Sequence, residues 1–390
     1  MKKRLISVAL AAGATVLASP GASHAIVADV PEPGFPEFNG VVNTIIHRGN
    51  VVYVGGSFKR VIDNGRSYAR PGAAAFNRVT GDLLPWKPAV AGTVTDMAWS
   101  REGIYLAGTF RKVKRQPRKN VALVTAKGAG KLKPLNVKVV GPVNAIGLDA
   151  RKVYIGGGIT RVAGKPRVRL AAFARKTGKL AAWAPKAQGA QGDAVLDLKV
   201  SRAGVYVGGY FKLMNGRPAF QRLALVNRTK GKTVTSFNPA TTYPVVTLLA
   251  SGGVVYAGLG GRAGGGLDAV NSATGVRVWA DTPRLDGDVQ ALALLNGVLY
   301  AGGHFDNICA PGSQEPNGDC PDLDRTPRFR GASFDPATGA LGSPGWDPRA
   351  NTQIGITALD AYANGEQLLA GGDFTQVRNQ TFRRLAVFAP

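Results

Sequence analysis

Histidine and cysteine are scarce in this chain, and acids are outnumbered by bases. Its 390 residues hold three His, two Cys, and 24 Asp plus Glu against 49 Lys plus Arg. So few His and Cys exclude a metal centre built from several such ligands. No amphipathic helical period appears after residue 25, which excludes a helical bundle. No later apolar run is long enough to cross a membrane. The formal net charge is +25 and the pI is near 10.4, so association with polyanions at low salt is expected.

What is abundant is glycine, at 52 residues, with 24 Pro, a mix that fits many short strands joined by tight turns. The first segment reads as a Sec-type signal peptide. Lys2, Lys3 and Arg4 precede an apolar stretch from Leu5 to about Leu17, and Ala22-Ser23-His24-Ala25 supplies small residues for cleavage after Ala25. No Cys lies near that site, so export without a lipid anchor is expected, to a secreted, extracellular location. Losing three bases with the leader takes +25 to about +22. In an exported chain, Cys309 and Cys320 are expected to form a disulfide.

An internal repeat decides the fold. A short apolar strand ending in a Gly pair recurs, as in Val52-Tyr53-Val54-Gly55-Gly56 and Val153-Tyr154-Ile155-Gly156-Gly157. Seven copies place their Tyr-equivalent residues at 53, 105, 154, 206, 256, 300 and 369. Around each lie an earlier apolar strand, a variable loop and a third strand. A Thr-Gly turn then leads to a fourth strand with a bulky residue: Trp86, Leu135, Trp183, Phe237, Trp279 or Trp346. Four short strands in units of about 50 residues are propeller blades. The Gly pair permits close approach between neighbouring sheets, and the aromatics fill the widening outer wedge.

The expected fold is all-β: a seven-bladed β-propeller of four-stranded antiparallel blades. Residues 26–390 form one domain, with an insertion at about 306–328 in unit six. Unit seven ends on its third strand at Leu385-Ala386-Val387-Phe388. Residues near 26–39 are therefore expected to complete the last blade, with Phe38 as its wedge aromatic, leaving no exposed edge.

The units resemble those of the delta-60 repeat family of exported bacterial β-propeller proteins of unknown function. The resemblance rests on the strand-Gly-Gly-x-Phe core, the Asn-Gly-Arg loop and the Arg-Leu-Ala start of strand three. The Phe237-Asn238-Pro239 ending adds to it. It spans nearly all of residues 35–390 and implies a fold and an exported setting, with no substrate or catalytic residues to carry over. The Thr-Gly-x-x-x-Trp endings depart from it towards propellers that bind pyrroloquinoline quinone.

The loops joining strands two and three are basic. The candidate ligand-binding residues are Lys59, Arg60, Lys112, Lys114, Arg115 and Arg118, then Arg161, Lys165, Arg167, Lys212, Arg217, Arg378 and Arg383. On one propeller face they would attract phosphate or carboxylate polymers. The alternative is a general surface-charge bias. Arg70, Lys119, Arg169, Arg222, Arg330 and Arg384 recur at one repeat position and are expected to hold backbone carbonyls instead. Few aromatics interleave with these bases, so specific nucleic-acid binding is not expected.

Asp319, Asp322 and Asp324 in the unit-six insertion lack the EF-hand pattern, and no metal or cofactor is assigned. His304 and Asp373 occupy equivalent positions in neighbouring units and form the candidate channel pair; His47 on a first strand reads as a packed histidine. The expectation is a monomeric, non-catalytic binding or scaffold protein. Its partner would be an extracellular polyanion, such as a cell-wall polymer or acidic polysaccharide, or another protein. The alternative is a secreted hydrolase, lyase or quinone-dependent oxidoreductase using the channel.

Overall fold

A computed structural model describes residues 26–241, 243–262, 264–362 and 367–390. The expected leader lies outside the described residues. Among the described residues the chain is all-β apart from one short 3-10 turn at Pro218–Phe220.

The repeat builds one kind of sheet. In unit one, Val42–Arg48 pairs antiparallel with Val51–Gly56, which pairs with Ala73–Asn77. Sheets of this order begin again at Val90, Val143, Val195, Val245, Asp288 and Ile356. The middle strand Val51–Gly56 is buried along nearly its whole length. A continuous apolar run suits a strand covered on both faces. Gly55 shows why the repeat needs glycine: a Cβ there would stand 2.7 Å from Val94 of the next sheet. Gly208 meets Val245 in the same way, at 2.6 Å. Each inner strand touches the inner strands of the units before and after it, and Val42–Arg48 touches Ile356–Ala361.

The fourth strand is slighter than the sequence suggested. It is reduced to a single bridge, such as Phe76 to Leu83 or Phe173 to Leu180. The segments that follow contain Pro85, Pro88 and Pro185, which cannot donate to a ladder. Their aromatics are nonetheless core. Trp86 and Trp183 are fully buried, edge-to-face with Tyr53 at 5.1 Å and Tyr154 at 5.0 Å. The indole N–H of Trp86 donates to Thr125 O of the next unit, and that of Trp183 to Asn227 O, both at 2.8 Å.

The amino-terminal segment lies along the last strand. Ala28 N–H donates to Ala389 O and Glu32 N–H to Val387 O, each at 2.7 Å. Phe38 is buried with Leu385 and Val387, but it is not the wedge aromatic. It pairs with Val61, as Val90 pairs with Val113 and Val139 with Val162. Phe35 takes the wedge place instead, 5.9 Å from Phe76, as Trp346 lies 5.2 Å from Phe388.

Candidate functional site: the basic hairpins and the axial cavity

The two-to-three loops are hairpins rather than irregular coils. In unit one, Arg60–Asp63 pairs with Arg66–Ala69 and with Glu37–Phe38, the segment leading into the inner strand. Unit three repeats this with Val139–Val140, Arg161–Val162 and Lys165–Pro166. Hairpins and connectors therefore share one side of the sheets. Asn64-Gly65, with φ of 48° and 73°, turns the first hairpin in the left-handed conformation that such two-residue turns require.

These hairpins expose Lys59, Arg60, Lys112, Arg115, Arg161, Lys165, Lys212 and Arg217 to solvent. Arg60 is steadied by its Nε donating to Ser67 Oγ at 2.6 Å. Lys114 and Arg115 occupy the unit-two turn with φ of 50° and 62°, in place of the commoner Asn-Gly. Lys114 is half-buried; burial, with Lys87 nearby, depresses its pKa below the ordinary lysine value. In unit seven, Arg378 pairs with Asp29 and Arg383 with Glu37, the latter at 2.9 Å. Amino-terminal carboxylates thus neutralise that sector.

Arg118 and Arg167 belong to the framework as well as to the basic loops. Arg118 donates to Pro117 O and Lys133 O, and Arg167 to Pro166 O and Ala181 O. Arg70 makes the same reach to Ala69 O and Leu84 O. The loop thereby clamps its own fourth strand, and the guanidinium is spent on carbonyls.

Two residues further on, Asn120, Arg169, Arg222, Arg330 and Arg384 all have φ between 63° and 68°. Asn120, rather than Lys119, fills this position in unit two. Arg169 donates to the carbonyls of Ala187, Ala190 and Asp193 in the following connector.

The inner strands surround a cavity of about 700 Å³. Each carries a bulge near its start. The side chains there bond sideways: Asn43 to Val94 O, Thr95 to Val143 O, Asn144 to Val195 O and Thr357 to Val42 O. Asp96 accepts from Met97 N–H at 2.7 Å and from Ile146 N–H of the next unit at 2.8 Å. Enclosure pushes its pKa up to about 7. Asp197 links units four and five by accepting from Leu248 N–H at 2.7 Å, and it holds the Lys199 ammonium at 2.9 Å. Burial opposes that charge, but Asp197 and Asp96 outweigh it and keep Lys199 above its ordinary pKa.

His304 and Asp373 do not line this cavity. Asp373 accepts from the Thr352 hydroxyl and from Gly355 N–H, so it organises its own loop. His304 ends a strand and pairs in register with Asp288. The sequence reading missed Asp96, Asp197 and Asp360 as cavity residues. The signal of Asp96 and Asp197 was an acid where equivalent positions hold Thr44, Ala145, Thr247 and Ala291, and that of Asp360 an acid where they hold Ile46, Ala98, Leu249 and Ala293.

Cys309 and Cys320 form a disulfide with a Cα separation of 4.9 Å. It ties down the unit-six loop, where Asp322 pairs with Arg325 at 2.9 Å. Among the described residues, no group of three or more His, Cys, Asp or Glu is placed to hold a metal ion. No described helix is long and apolar enough to cross a membrane.

Solved structures share this fold, two of them as follows. The WD40 beta propeller domain of Doa1 superposes with a TM-score of 0.54 at 14% identity, covering 91% of this chain and 96% of that one. The chain is a β-propeller. The computationally designed Ika8 protein is also similar, with a TM-score of 0.51 at 12% identity, covering 92% of this chain and 98% of that one. No protein-family model matches the chain, and no curated protein matches it in sequence. At these identities the likeness concerns the fold alone. The propeller thus offers two chemically distinct regions: an exposed basic hairpin face and an axial cavity carrying Asp96, Asp197, Lys199 and Asp360.

Proposed function

We propose that this chain is an exported, monomeric, non-catalytic binding propeller whose hairpin face holds an extracellular polyanion, such as a cell-wall polymer or acidic polysaccharide. The observation that carries this reading is the common placement of the exposed bases. Lys59, Lys112, Arg115, Lys165 and Lys212 stand on hairpins beside the inter-unit connectors, on a chain of formal charge +25. Summed positive charge on one surface raises the local concentration of polyanions and speeds their capture. The bases already committed to carbonyls or carboxylates are outside this set.

The reading includes a ring of seven blades closed by the amino-terminal segment. Support comes from the sheets beginning at seven inner strands, the contact of Val42–Arg48 with Ile356–Ala361, and the Ala28 and Glu32 backbone bonds. The units' resemblance to the delta-60 repeats accords with both the ring and export. Cleavage after Ala25 would deliver the domain outside the cell.

The test is retention on immobilised heparin and on anionic wall polymer across a salt gradient. Retention should weaken as salt rises, and Lys112→Glu with Arg115→Glu should elute earlier. Equal elution of variant and wild type would remove the hairpin face from the function.

A further inference from the structure

The hairpin face is not uniformly basic around the propeller. Exposed bases occupy the hairpins of units one to four, with Lys59, Lys112, Arg115, Lys165, Lys212 and Arg217 as landmarks. Among the described residues, unit five shows no such hairpin, and its short loop exposes a single base, Arg262. Its third strand, at Gly265 and Gly266, pairs directly with Arg284–Leu285, the connector into unit six. The sheet then continues through Asn307–Cys309 to Arg325–Pro327. Beyond that gap, the disulfide-held loop of unit six exposes Glu315, Asp319, Asp322 and Asp324. Unit seven contributes Arg378 and Arg383, but Asp29 and Glu37 pair with them.

We infer that the contact surface is an arc across four consecutive hairpins, bounded by an acidic stop at unit six, and that its ligand is a linear polyanion rather than a small anion. This rests on the function proposed above and adds the ligand's form. Exposed, separated ammonium and guanidinium groups each give a single anion little, because solvent and salt screen isolated pairs. One chain bearing repeated charges engages several such groups in succession, and each displaced counter-ion adds to the salt dependence. Unit two is built to present its charges firmly. Val90–Ser100 and Gly103–Val113 are eleven-residue strands paired from the axial cavity out to the Lys114-Arg115 turn. Both turn residues are held in the left-handed region, which non-glycine residues rarely adopt. The acidic loop repels the same polymer and keeps it from lying across the whole face.

Titration with pyrophosphate and with inorganic polyphosphates of increasing length tests this on the mature chain. Affinity should rise at least tenfold from pyrophosphate to long chains, with the salt dependence steepening alongside. Lys112→Gln with Arg115→Gln, and separately Lys165→Gln with Lys212→Gln, should each weaken long-chain binding about fivefold or more. Arg383→Gln should change it less than twofold, and Asp319→Asn with Asp322→Asn should strengthen it. Circular dichroism on every variant confirms the fold, and the milder single variants Lys112→Gln and Lys165→Gln serve if a pair unfolds. Equal affinity for pyrophosphate and long chains, or an Arg383→Gln loss as large as the arc variants, overturns the arc while leaving polyanion binding standing. No binding to any chain length defeats the functional reading itself.

Discussion

His47 and Asp360 stand 313 positions apart in sequence, yet His47 Nδ1 lies 2.6 Å from Asp360 Oδ2. They join the inner strand of the first unit to that of the last. The carboxylate hydrogen bond holds the imidazole above its ordinary pKa of 6.5, against burial and the Arg78 and Arg48 charges. Burial also pushes the Asp360 carboxyl upward. Within the cavity, enclosure takes Asp96 to about 7.

A group whose pKa is raised on folding binds more protons in the native state, so its stabilisation fades as pH rises through the folded value. All three groups act in that direction. Melting temperature should therefore fall between pH 5.5 and pH 8, by about 2 °C or more. His47→Gln should flatten the profile near neutrality. A melting temperature that climbs over this range, or a profile unchanged in the variant, contradicts the assignment.

Trp183 is fully buried, packs edge-on against Tyr154 and donates across to the next unit. Trp183→Ala should cost about 3–5 kcal/mol in denaturant unfolding, and Trp183→Phe clearly less. Comparable losses from both would mean that the wedge volume is not what the site needs.

The amino-terminal segment lies where a fourth strand sits in other units. Proline lacks an N–H, so Ala28→Pro removes the bond to Ala389 O. Removing residues 26–34 also removes Asp29, which accepts from Asp347 N–H and pairs with Arg378. Both changes should lower the melting temperature, and the deletion should open the last unit to limited proteolysis first. Undiminished stability in the deletion would mean that the segment closes nothing.

Much of this architecture was legible because the repeat marks residues in register. The Gly pairs announced close sheet approach, and Gly55 and Gly208 meet Val94 and Val245 accordingly. The aromatics after the Thr-Gly turns announced the outer wedge, and Trp86 and Trp183 fill it. Register failed where a segment gained or lost a residue. Phe38 was read for Phe35, three positions away, and Lys119 for Asn120, one position away, because such offsets are invisible without hydrogen bonds. Arg118 and Arg167 looked like free loop bases. Their carbonyl partners at Lys133 and Ala181 lie 15 and 14 positions on, in a strand that pairs through a single bridge. The axial acids left the weakest trace, since the partners that make them bridges, Ile146, Leu248 and His47, belong to the neighbouring unit.

Hydrogen–deuterium exchange of the mature chain, with and without long polyphosphate, probes the basic face most directly. The account predicts slowed exchange in the hairpins around Lys112 to Gln116 and Arg161 to Lys165, with the unit-six loop near Asp319 unchanged. Protection confined to the axial strands, or centred on the Cys309–Cys320 loop, would contradict it.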